Sequence, residues 1–552
     1  MKPSVRAGLA GVVAAGAALG VAEVVAALTG NRSSPLVAVG GVVVDHVPAA
    51  VKDFGIAVFG VHDKTALLVG TGVLLAAYAF GLGVLARRRW LLAVGGVALF
   101  GLVGAVAAVT RPGAGASAAI PSLLGAALAV LVLRHLTSAA EKAGPETAAG
   151  KAGPETAGPE AGTTAFGPAA ADVPDHDGPG APETGRAVAV VDMRTPYQIE
   201  RDRRRFLRDL GIVAAVSAAS GFGGRLLTSR RAVTAARADI ALPSPSGSAP
   251  VLPAGVQVDG AVSYVTPNRE FYRIDTAIVT PQVDPASWEL RIHGMVRNPV
   301  TITWADLLRL PMVERYVTIA CVSNEVGSDL IGNALWLGTP IKALLDLADP
   351  LPEADQAVQR SVDGWTCGTP TAVLRDGRDA LLAVGMNGVP LPIEHGFPVR
   401  MIVPGLYGYV SACKWITEIE LTRFTDFDAY WVPRGWSAQA PVKTQSRIDT
   451  PRDGAVKPAG TVTVAGVAWA THRGVAKVEV QVDEGPWQTA ALAEAVSADT
   501  WRQWSLTWPA SAGRHTLRVR ATDLDGVTQT PALAPPAPDG ATGWHQVEVV
   551  VE

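Results

Sequence analysis

Residues 387–400 read Asn-Gly-Val-Pro-Leu-Pro-Ile-Glu-His-Gly-Phe-Pro-Val-Arg, and turn-forming residues flank the histidine, His395. Arg400 opens a strand-like run that continues over residues 401–403. A histidine and an arginine five positions apart can both donate hydrogen bonds to an anionic ligand. Arginine in particular gives phosphate a planar, bidentate contact. The alternative for an isolated pair of this kind is a capped loop with one solvated arginine.

A second candidate site residue is Cys321, which follows an apolar, strand-like run over residues 316–320 and precedes a polar turn. A thiolate at a strand end is a soft, strongly donating ligand that suits transition metals. The alternative is a buried cysteine that behaves as a small hydrophobe, and this is our interpretation of Cys367 and Cys413.

Two further segments combine charge with aromatic side chains or glycine. Residues 266–275 join the pair Phe271-Tyr272 to Arg273 and Asp275, and the alternative there is an edge strand with a salt bridge. Residues 407–415 contain glycine, which lets the backbone approach a ligand closely, and Lys414, which supplies a point positive charge. The alternative for this second segment is a turn into a strand.

In this order, the four segments resemble the molybdopterin-dependent sulfite oxidase family over about residues 255–552. The resemblance implies an α+β domain in which the Cys321 thiolate binds molybdenum directly. It also implies that Arg273 lies close to an anionic substrate. The residues that the resemblance assigns to the molybdenum–molybdopterin cofactor are Phe271, Tyr272, Arg273, Ile274, Asp275, Cys321, Thr366, His395, Arg400 and Lys414.

The chain departs from the family's pattern at two positions. Animal sulfite oxidases carry a catalytic tyrosine beside the metal, and the best match here is Trp365, which has no phenolic proton. A further family arginine appears here as Ser411. Both changes lower the positive, polar character expected around a small sulfur oxyanion, so sulfite and a sulfoxide both stay open as substrates.

Composition limits the other possibilities. The net charge of −3 provides no large basic surface for nucleic acid, and the three cysteines exclude a disulfide-scaffold protein. We find no CxxCH motif for covalent haem, no CxxC pair for zinc or iron–sulfur and no P-loop. Electrons must therefore pass to or from a separate carrier, such as a cytochrome or a quinone-linked protein.

The front of the chain, residues 1–136, is predicted to be a membrane domain with about four transmembrane helices. Four apolar stretches are long enough, or nearly so, to cross a bilayer: residues 7–29, 65–86, 90–110 and 116–133. A fifth candidate, residues 35–60, contains four charged or titratable side chains, so we interpret it as an external amphipathic segment. Three arginines at 87–89 should be cytoplasmic, which places the N-terminus inside as well.

Residues 137–200 are rich in Ala, Gly, Pro and Glu and are predicted to be a disordered cytoplasmic linker. Residues 201–230 then join a basic stretch, Arg203-Arg204-Arg205, to a weakly apolar segment. This combination is typical of a twin-arginine export signal, which moves domains already folded around a cofactor. Here it would also form a fifth span. The alternative is a basic flank beside an ordinary membrane helix.

Two domains are predicted beyond this signal. Residues 250–436 have the mixed α/β texture of the molybdopterin-binding catalytic domain. Residues 440–552 alternate apolar and polar positions between turn signals, which fits an all-β, immunoglobulin-like sandwich. The resemblance implies that this sandwich is a dimerisation domain and that the protein forms a homodimer.

The resemblance therefore implies a multi-pass protein of the bacterial cell membrane with its catalytic domain on the extracytoplasmic side. Its chemistry would be two-electron oxygen-atom transfer on sulfite or a related sulfur compound. One alternative is a sulfoxide reductase of the methionine sulfoxide type. A second is a non-enzymatic, membrane-tethered scaffold or adhesion protein with an immunoglobulin-like tail.

Overall fold

The structure is a computed structural model that describes residues 2–29, 34–46, 63–110, 114–142, 201, 204–217 and 230–552. Most of the predicted linker and Arg203 of the arginine stretch lie outside these residues. The α-helices of the described part are α1 (Pro3–Thr29), α2 (Pro35–His46), α3 (Asp63–Ala86), α4 (Trp90–Val109), α5 (Ile120–Lys142), α6 (204–217), α7 (Arg230–Ala238), α8 (Trp304–Arg309) and α9 (Ile341–Ala348).

Four apolar segments of the described helices are long enough to cross a membrane: Pro3–Ala26, Val69–Ala86, Trp90–Val109 and Ala116–Ala139. They overlap the four stretches predicted from the sequence. Helix α2 has 12 residues, so it is about 18 Å long, shorter than the ~30 Å hydrocarbon core of a bilayer. The rest of that fifth candidate, residues 47–60, lies outside the described residues.

Residues 230–552 lie within one compact unit and hold all the described strands. The first ten strands are β1 (Glu289–Gly294), β2 (Val300–Thr303), β3 (Val313–Ala320), β4 (Ile331–Pro340), β5 (Gln356–Ser361), β6 (Thr366–Pro370), β7 (Leu381–Met386), β8 (Val389–Pro390), β9 (Arg400–Ile402) and β10 (Ile416–Thr422). The remaining nine are β11 (Gln445–Thr450), β12 (Ala455–Lys457), β13 (Gly460–Trp469), β14 (Val475–Val482), β15 (Gln488–Thr489), β16 (Ala491–Leu492), β17 (Arg502–Ala510), β18 (Gly513–Asp523) and β19 (His545–Val551).

The first ten strands form two sheets. One has the order β2-β1-β10-β5-β6, with β1 and β10 parallel and the other pairs antiparallel. The other has the order β3-β4-β7-β8, and β9 also pairs with β7. Helix α9 buries one apolar stripe, at the i, i+3, i+4 and i+7 spacing expected of an amphipathic helix: Ile341, Leu344, Leu345 and Ala348.

The last nine strands confirm the all-β prediction. They form two sheets of order β11-β13-β17-β16 and β12-β19-β18-β14-β15. Burial alternates along β18, where Leu517, Val519 and Ala521 enter the core and the residues between them do not. Trp504 and Val549 are fully buried in the same apolar cluster.

One loop of the sandwich supports strand β3. Trp501 is 2% exposed, its backbone N–H donates to Thr318 Oγ1 (2.8 Å), and its Nε1–H donates to the Tyr264 carbonyl (3.0 Å). The Tyr264 hydroxyl in turn donates to Thr500 Oγ1 (2.9 Å). Because Thr318 lies three positions before Cys321, the sandwich helps to fix the strand that presents that cysteine.

Trp501→Ala is therefore expected to destabilise the protein by about 3–5 kcal/mol, the usual cost of truncating a buried tryptophan. The free energy of unfolding, measured by urea titration of the full chain in detergent, checks this. Trp487→Ala is the matched control, because Trp487 is only half-buried and packs on Trp544 in the sandwich. Equal losses in the two variants would contradict the supporting role of Trp501.

Candidate active site

Cys321 immediately follows β3 and begins the turn that joins β3 to β4. Its backbone N–H donates to the Leu330 carbonyl (2.9 Å), and Asn324 closes the turn by accepting from the Leu330 N–H through Oδ1 (2.8 Å). The side chain is 8% exposed, and this burial raises the pKa of the thiol. The fold thus holds one sulfur atom in a fixed position at a strand end.

The turn at 387–388 is tied to the 266–275 segment through one side chain. Asn387 has a φ of 52°, and Gly388 a φ of 79°, as expected for an Asn-Gly hairpin turn. Asn387 Nδ2 donates to the Thr266 carbonyl (2.9 Å) and to Asn268 Oδ1 (2.7 Å). Two segments that are about 120 residues apart in the sequence are therefore adjacent.

Aromatic ring contacts extend the packing between these two segments. The Phe271 ring lies 5.3 Å from the Tyr272 ring, 5.8 Å from Trp336 and 5.7 Å from His395, measured between ring centroids. Phe271 is 4% exposed, so it forms part of the floor beneath the site. This packing places the backbone of residues 271–275 beside the His-Gly turn.

His395 ends a short 3₁₀ helix, Ile393–His395, which Gly396 terminates at a φ of 113°. A Cβ atom on Gly396 would lie 3.0 Å from Arg400 Cβ and 3.2 Å from Lys414 Cα, so the approach of these segments requires glycine. His395 Nε2 donates to the Asn268 carbonyl (3.1 Å). Burial and the neighbouring Arg400 lower the pKa of His395 to about 4, so the ring is neutral at neutral pH.

Arg400 and Lys414 are directly opposite each other in an antiparallel bridge. Like charges in this position destabilise a sheet unless something neutralises them. Arg400 is 4% exposed and donates to two carbonyl groups, those of His395 (3.1 Å) and Ala412 (3.5 Å). Within the described part of the chain, its guanidinium forms no ion pair, and its buried Nε has no hydrogen-bond partner.

Lys414 does have a counter-charge. Its Nζ donates to Asp275 Oδ2 (2.8 Å), and Arg273 Nε donates to the same oxygen (3.0 Å). Burial lowers the pKa of Lys414 to about 8, although Asp275 opposes the shift. Arg273 and Lys414 thus share the Asp275 carboxylate, and Arg400 has no ion pair among the described residues, so this cation group of three cations and one carboxylate has a formal net charge of two positive units.

These residues surround a cavity with about 920 Å³ of empty space, a volume that includes its opening to solvent. Most of the predicted site residues line it: Phe271, Tyr272, Ile274, Asp275, Cys321, His395, Arg400 and Lys414. Two predicted residues are not in the lining. Arg273 is 41% exposed and also donates to Thr280 Oγ1 (2.9 Å), and Thr366 Oγ1 accepts from the Tyr430 N–H (3.0 Å).

The cavity suits molybdenum–molybdopterin. A phosphate monoester carries a charge of about −1.5 to −2, which matches the two uncompensated positive charges of the cation group. The unpartnered Arg400 Nε is a donor that a buried phosphate or pterin acceptor would satisfy. Cys321 supplies a sulfur ligand from the cavity wall.

Part of the cavity wall is aromatic, and two of its tryptophans, Trp431 and Trp436, were not predicted from the sequence. Tyr409, Trp431 and Trp436 line the cavity, in addition to Trp365, which the family resemblance placed beside the metal. No motif marks the two tryptophans, which follow the last strand of the catalytic domain. Ser411 does not line the cavity, and its hydroxyl donates to backbone carbonyls, of which Tyr407 O is 2.9 Å away.

The chain is similar in sequence to several known proteins. Residues 277–431 match the family described as oxidoreductase molybdopterin binding domain, and residues 445–519 match a bacterial Ig domain. Human mitochondrial sulfite oxidase is 30% identical over 342 residues, which cover 52% of this chain and 62% of that protein. The uncharacterized oxidoreductase YuiH of Bacillus subtilis is 31% identical over 178 residues, covering 31% of this chain and 85% of YuiH. The sulfane dehydrogenase SoxCD of Paracoccus pantotrophus aligns with a TM-score of 0.44 at 22% identity, covering 52% of this chain and 84% of that one.

The fold and site therefore define an oxidoreductase with a molybdopterin-binding domain and a C-terminal immunoglobulin-like domain. The chain belongs to the molybdopterin-binding oxidoreductase family whose members include the sulfite oxidases, and its cofactor is molybdenum–molybdopterin. This membership sets aside the alternative of a non-enzymatic scaffold. The chain spans 62% of the length of human sulfite oxidase, one of the curated relatives that it matches.

Proposed function

We propose that the protein is a membrane-anchored, extracytoplasmic oxidoreductase that transfers an oxygen atom to or from sulfite or a related small sulfur compound. The observation that carries the proposal is the placement of Cys321 and the Arg400–Lys414 pair around one cavity. A buried cation pair with too little counter-charge is costly unless an anionic ligand neutralises it, and the ligand that fits this cavity best would also use the thiol. A cofactor with a metal at one end and a phosphate at the other does so.

Different residues would bind different parts of the cofactor. Cys321 would hold molybdenum through its sulfur, because a soft thiolate ligand suits this metal. Arg400 and Lys414 would bind the phosphate, with charge-assisted hydrogen bonds that neutral groups cannot match. His395, neutral at neutral pH, would contribute a hydrogen bond rather than charge.

The cofactor, when bound, supplies the two-electron oxygen-atom transfer chemistry, and the protein supplies position and electrostatics. Arg273 pairs with Asp275, which lines the cavity, and from this position it would contribute positive charge toward an anionic substrate. For sulfite the balance is sulfite plus water giving sulfate, two protons and two electrons. The electrons would leave to a separate carrier, a cytochrome or a quinone-linked protein.

Metal analysis and turnover test the proposal together. The full chain, purified in detergent from a host that makes the cofactor, should contain about one molybdenum and one pterin per chain. It should oxidise sulfite with ferricyanide as electron acceptor, or reduce a sulfoxide with a reduced viologen as donor. Metal-free protein from such a host, or a loaded protein inactive on both, would contradict the proposal.

The membrane placement has its own test. Within the described residues 204–217 of α6, Arg204, Arg205 and Arg208 precede the apolar residues, as a basic flank on the inner side of a span would. Replacing Arg203 and Arg204 with lysine should reduce the externally protease-accessible catalytic domain by at least about tenfold, because the twin-arginine route reads these side chains. Replacing Arg87 and Arg88 with lysine is the matched control, since those arginines lie between two apolar helices. Undiminished exposure in the first variant would show that α6 belongs to an ordinary membrane helix.

A sulfoxide is the second candidate substrate, and the cavity wall favours it. Trp365 occupies the lining and Ser411, buried and bonded to backbone, adds no positive charge. An organic sulfoxide has an apolar part that such a wall can cover, whereas sulfite does not.

A further inference from the structure

The residues just before the predicted catalytic domain contact one of its sheets at both edges. Residues 233–247, which we name the crossing segment, begin on helix α7 and follow the predicted export segment. At the β8 edge of the sheet β3-β4-β7-β8, the Arg237 guanidinium donates through Nε to the Leu391 carbonyl (2.7 Å) and through Nη2 to the Pro390 carbonyl (2.6 Å). One guanidinium therefore binds two successive carbonyl groups at this edge.

The crossing segment continues over the sheet to the opposite edge. Leu242 contacts β7, where a Cβ atom built on Gly385 would lie 2.9 Å from Leu242 Cδ1. At β3, the Glu314 N–H donates to the Gly247 carbonyl (2.8 Å), and Gly247 forms a parallel bridge with Val313. The crossing segment is therefore packed on the sheet that presents the thiol of the candidate active site.

One face of α7 is directed at this sheet. Val233 and Arg237 are four positions apart, so they lie on the same face of the helix. Val233 is 4% exposed and packs in the apolar cluster that contains Phe271, Trp336 and Leu391. Because Phe271 also lines the cofactor cavity, α7 and the cavity share one apolar cluster.

The turn that this guanidinium binds also contacts the cations assigned to the phosphate. This turn, residues 390–395, is named the cofactor turn. Lys414 Nζ donates to the Glu394 carbonyl (3.2 Å), and Arg400 Nη1 donates to the His395 carbonyl (3.1 Å). The carbonyl groups of the cofactor turn thus accept from α7 at its beginning and from the two phosphate-binding side chains at its end.

Arginine suits this contact, because its planar fork fixes two acceptors at once, which a lysine ammonium does not. Burial lowers the pKa of Arg237, and the nearby Glu394 opposes this shift. The charge of the guanidinium also strengthens both hydrogen bonds. Loss of this side chain would therefore free two carbonyl groups and one end of the cofactor turn together.

We propose that Arg237 is a positioning residue for the cofactor. By fixing the Pro390 and Leu391 carbonyls, it holds the cofactor turn, and through that turn it holds Arg400 and Lys414 in the orientation that the phosphate requires. This inference rests on the proposed function, in which those two cations bind the cofactor phosphate. It also makes the crossing segment part of the cofactor-binding unit.

The rate of cofactor release tests the inference. The cofactor-loaded full chain in detergent is dialysed, and the pterin that leaves the protein is measured by its fluorescence. Arg237→Met keeps most of the apolar stem but removes the charge and the donors. It should release pterin at least about tenfold faster than the wild type, because hydrogen bonds from a charged donor are typically worth an order of magnitude or more.

Hydrogen exchange reports on the cofactor turn directly and needs no cofactor. The His395 N–H donates to the Pro392 carbonyl (3.0 Å), and the Gly396 N–H donates to the Ile393 carbonyl (3.2 Å). In the full chain made without molybdopterin, Arg237→Met should exchange these two protons at least about tenfold faster than the wild type, because the turn opens more easily. Peptides from the sandwich should exchange at the wild-type rate.

Arg502→Met is the matched control. Arg502 also donates to two carbonyl groups, those of Ala493 (2.8 Å) and Val475 (3.0 Å), but it lies in the sandwich. Its replacement should leave pterin release within about twofold and exchange of the cofactor turn unchanged, because distant sites act independently. Arg237→Lys keeps the charge without the fork and should release pterin at least about threefold faster, which tests the inference even if Arg237→Met does not fold.

Two results would overturn the positioning role. One is wild-type pterin release and wild-type turn exchange in the Arg237 variants, and the other is an equal change in Arg502→Met. The proposed function fails separately, if the wild-type chain from a cofactor-producing host contains neither molybdenum nor pterin. A loaded wild type whose pterin release does not depend on Arg237 refutes the positioning role alone.

Discussion

Cys321→Ser is expected to remove oxygen-atom transfer while leaving the overall fold and most of the pterin in place. Serine changes one atom, but it replaces a soft, polarizable sulfur by a hard hydroxyl oxygen. The turnover number per bound pterin should fall by at least about a hundredfold. Loss of a residue that only hydrogen-bonds to a metal ligand typically costs about 10- to 100-fold, and loss of the ligand itself should cost more. Turnover of the full chain in detergent, normalised to pterin content, measures this.

Two further readouts make the result specific to metal ligation. The visible absorption that a metal-bound thiolate contributes should disappear, and molybdenum should be lost more readily than pterin on dialysis. Cys367→Ser is the matched control, because Cys367 is fully buried on β6 and does not line the cavity. It should cost about 1–3 kcal/mol of stability, because a hydroxyl replaces an apolar side chain, yet keep its activity per pterin. Full activity in Cys321→Ser, or an equal loss in Cys367→Ser, would contradict direct ligation.

The difference between these two cysteines shows what the sequence can predict. Both follow or lie within strand-like runs, and composition alone assigns either one to the core. What singles out Cys321 in the sequence is its position after β3 and before a polar turn, a local feature. Local features of this kind, the Asn-Gly turn and the His-Gly turn among them, were predicted correctly because they depend on nearby residues.

Side-chain direction was harder to predict. In the irregular segment 271–275, Phe271, Tyr272, Ile274 and Asp275 line the cavity, whereas Arg273 points to Asp275 and Thr280. No regular period fixes which residues face inward in a segment without a strand or helix. The resemblance assigned all five to the site, and only the three-dimensional packing separates them.

Long-range register was not predictable at all. Arg400 meets Lys414 because the chain returns through the Gly408–Val410 turn and bridges back to β9. Nothing local to either residue indicates that two cations will face each other. The presence of Trp431 and Trp436 in the cavity lining depends in the same way on the path of the chain after β10, and no local sequence feature indicates it.

Arg400→Met is expected to act in opposite directions on cofactor content and on the stability of the cofactor-free chain. Methionine keeps much of the arginine stem in a pocket that is 4% exposed, but it removes the charge and the donors. Loss of a buried charge-assisted contact costs about 2–5 kcal/mol of binding. This corresponds to about 30- to 5,000-fold weaker cofactor binding, so pterin and molybdenum should be largely absent from purified protein.

The cofactor-free chain should lose no stability and is expected to gain about 1 kcal/mol or more, since an unpaired buried charge is replaced by an apolar side chain. Burial already lowers the pKa of Arg400 to about 10, which is the signature of a charge held in an unfavourable environment. Thermal or urea unfolding of protein made without molybdopterin measures this second effect. The positive charge of Arg400 would therefore stabilise the bound cofactor and destabilise the cofactor-free protein.

Arg447→Met is the control that separates this account from a general sensitivity of buried arginines. Arg447 is 7% exposed, donates to Asp449 Oδ1 (2.7 Å) and to the Ser328 carbonyl (2.8 Å), and lies outside the cavity lining. Its removal leaves a buried carboxylate unpaired, so Arg447→Met should destabilise the chain by about 3–5 kcal/mol while the folded fraction retains cofactor. Arg400→Lys should fall between wild type and Arg400→Met, because lysine restores charge without the bidentate fork. Normal cofactor content in Arg400→Met, or a loss of stability as large as that of Arg447→Met, would show that Arg400 supports the fold rather than the phosphate.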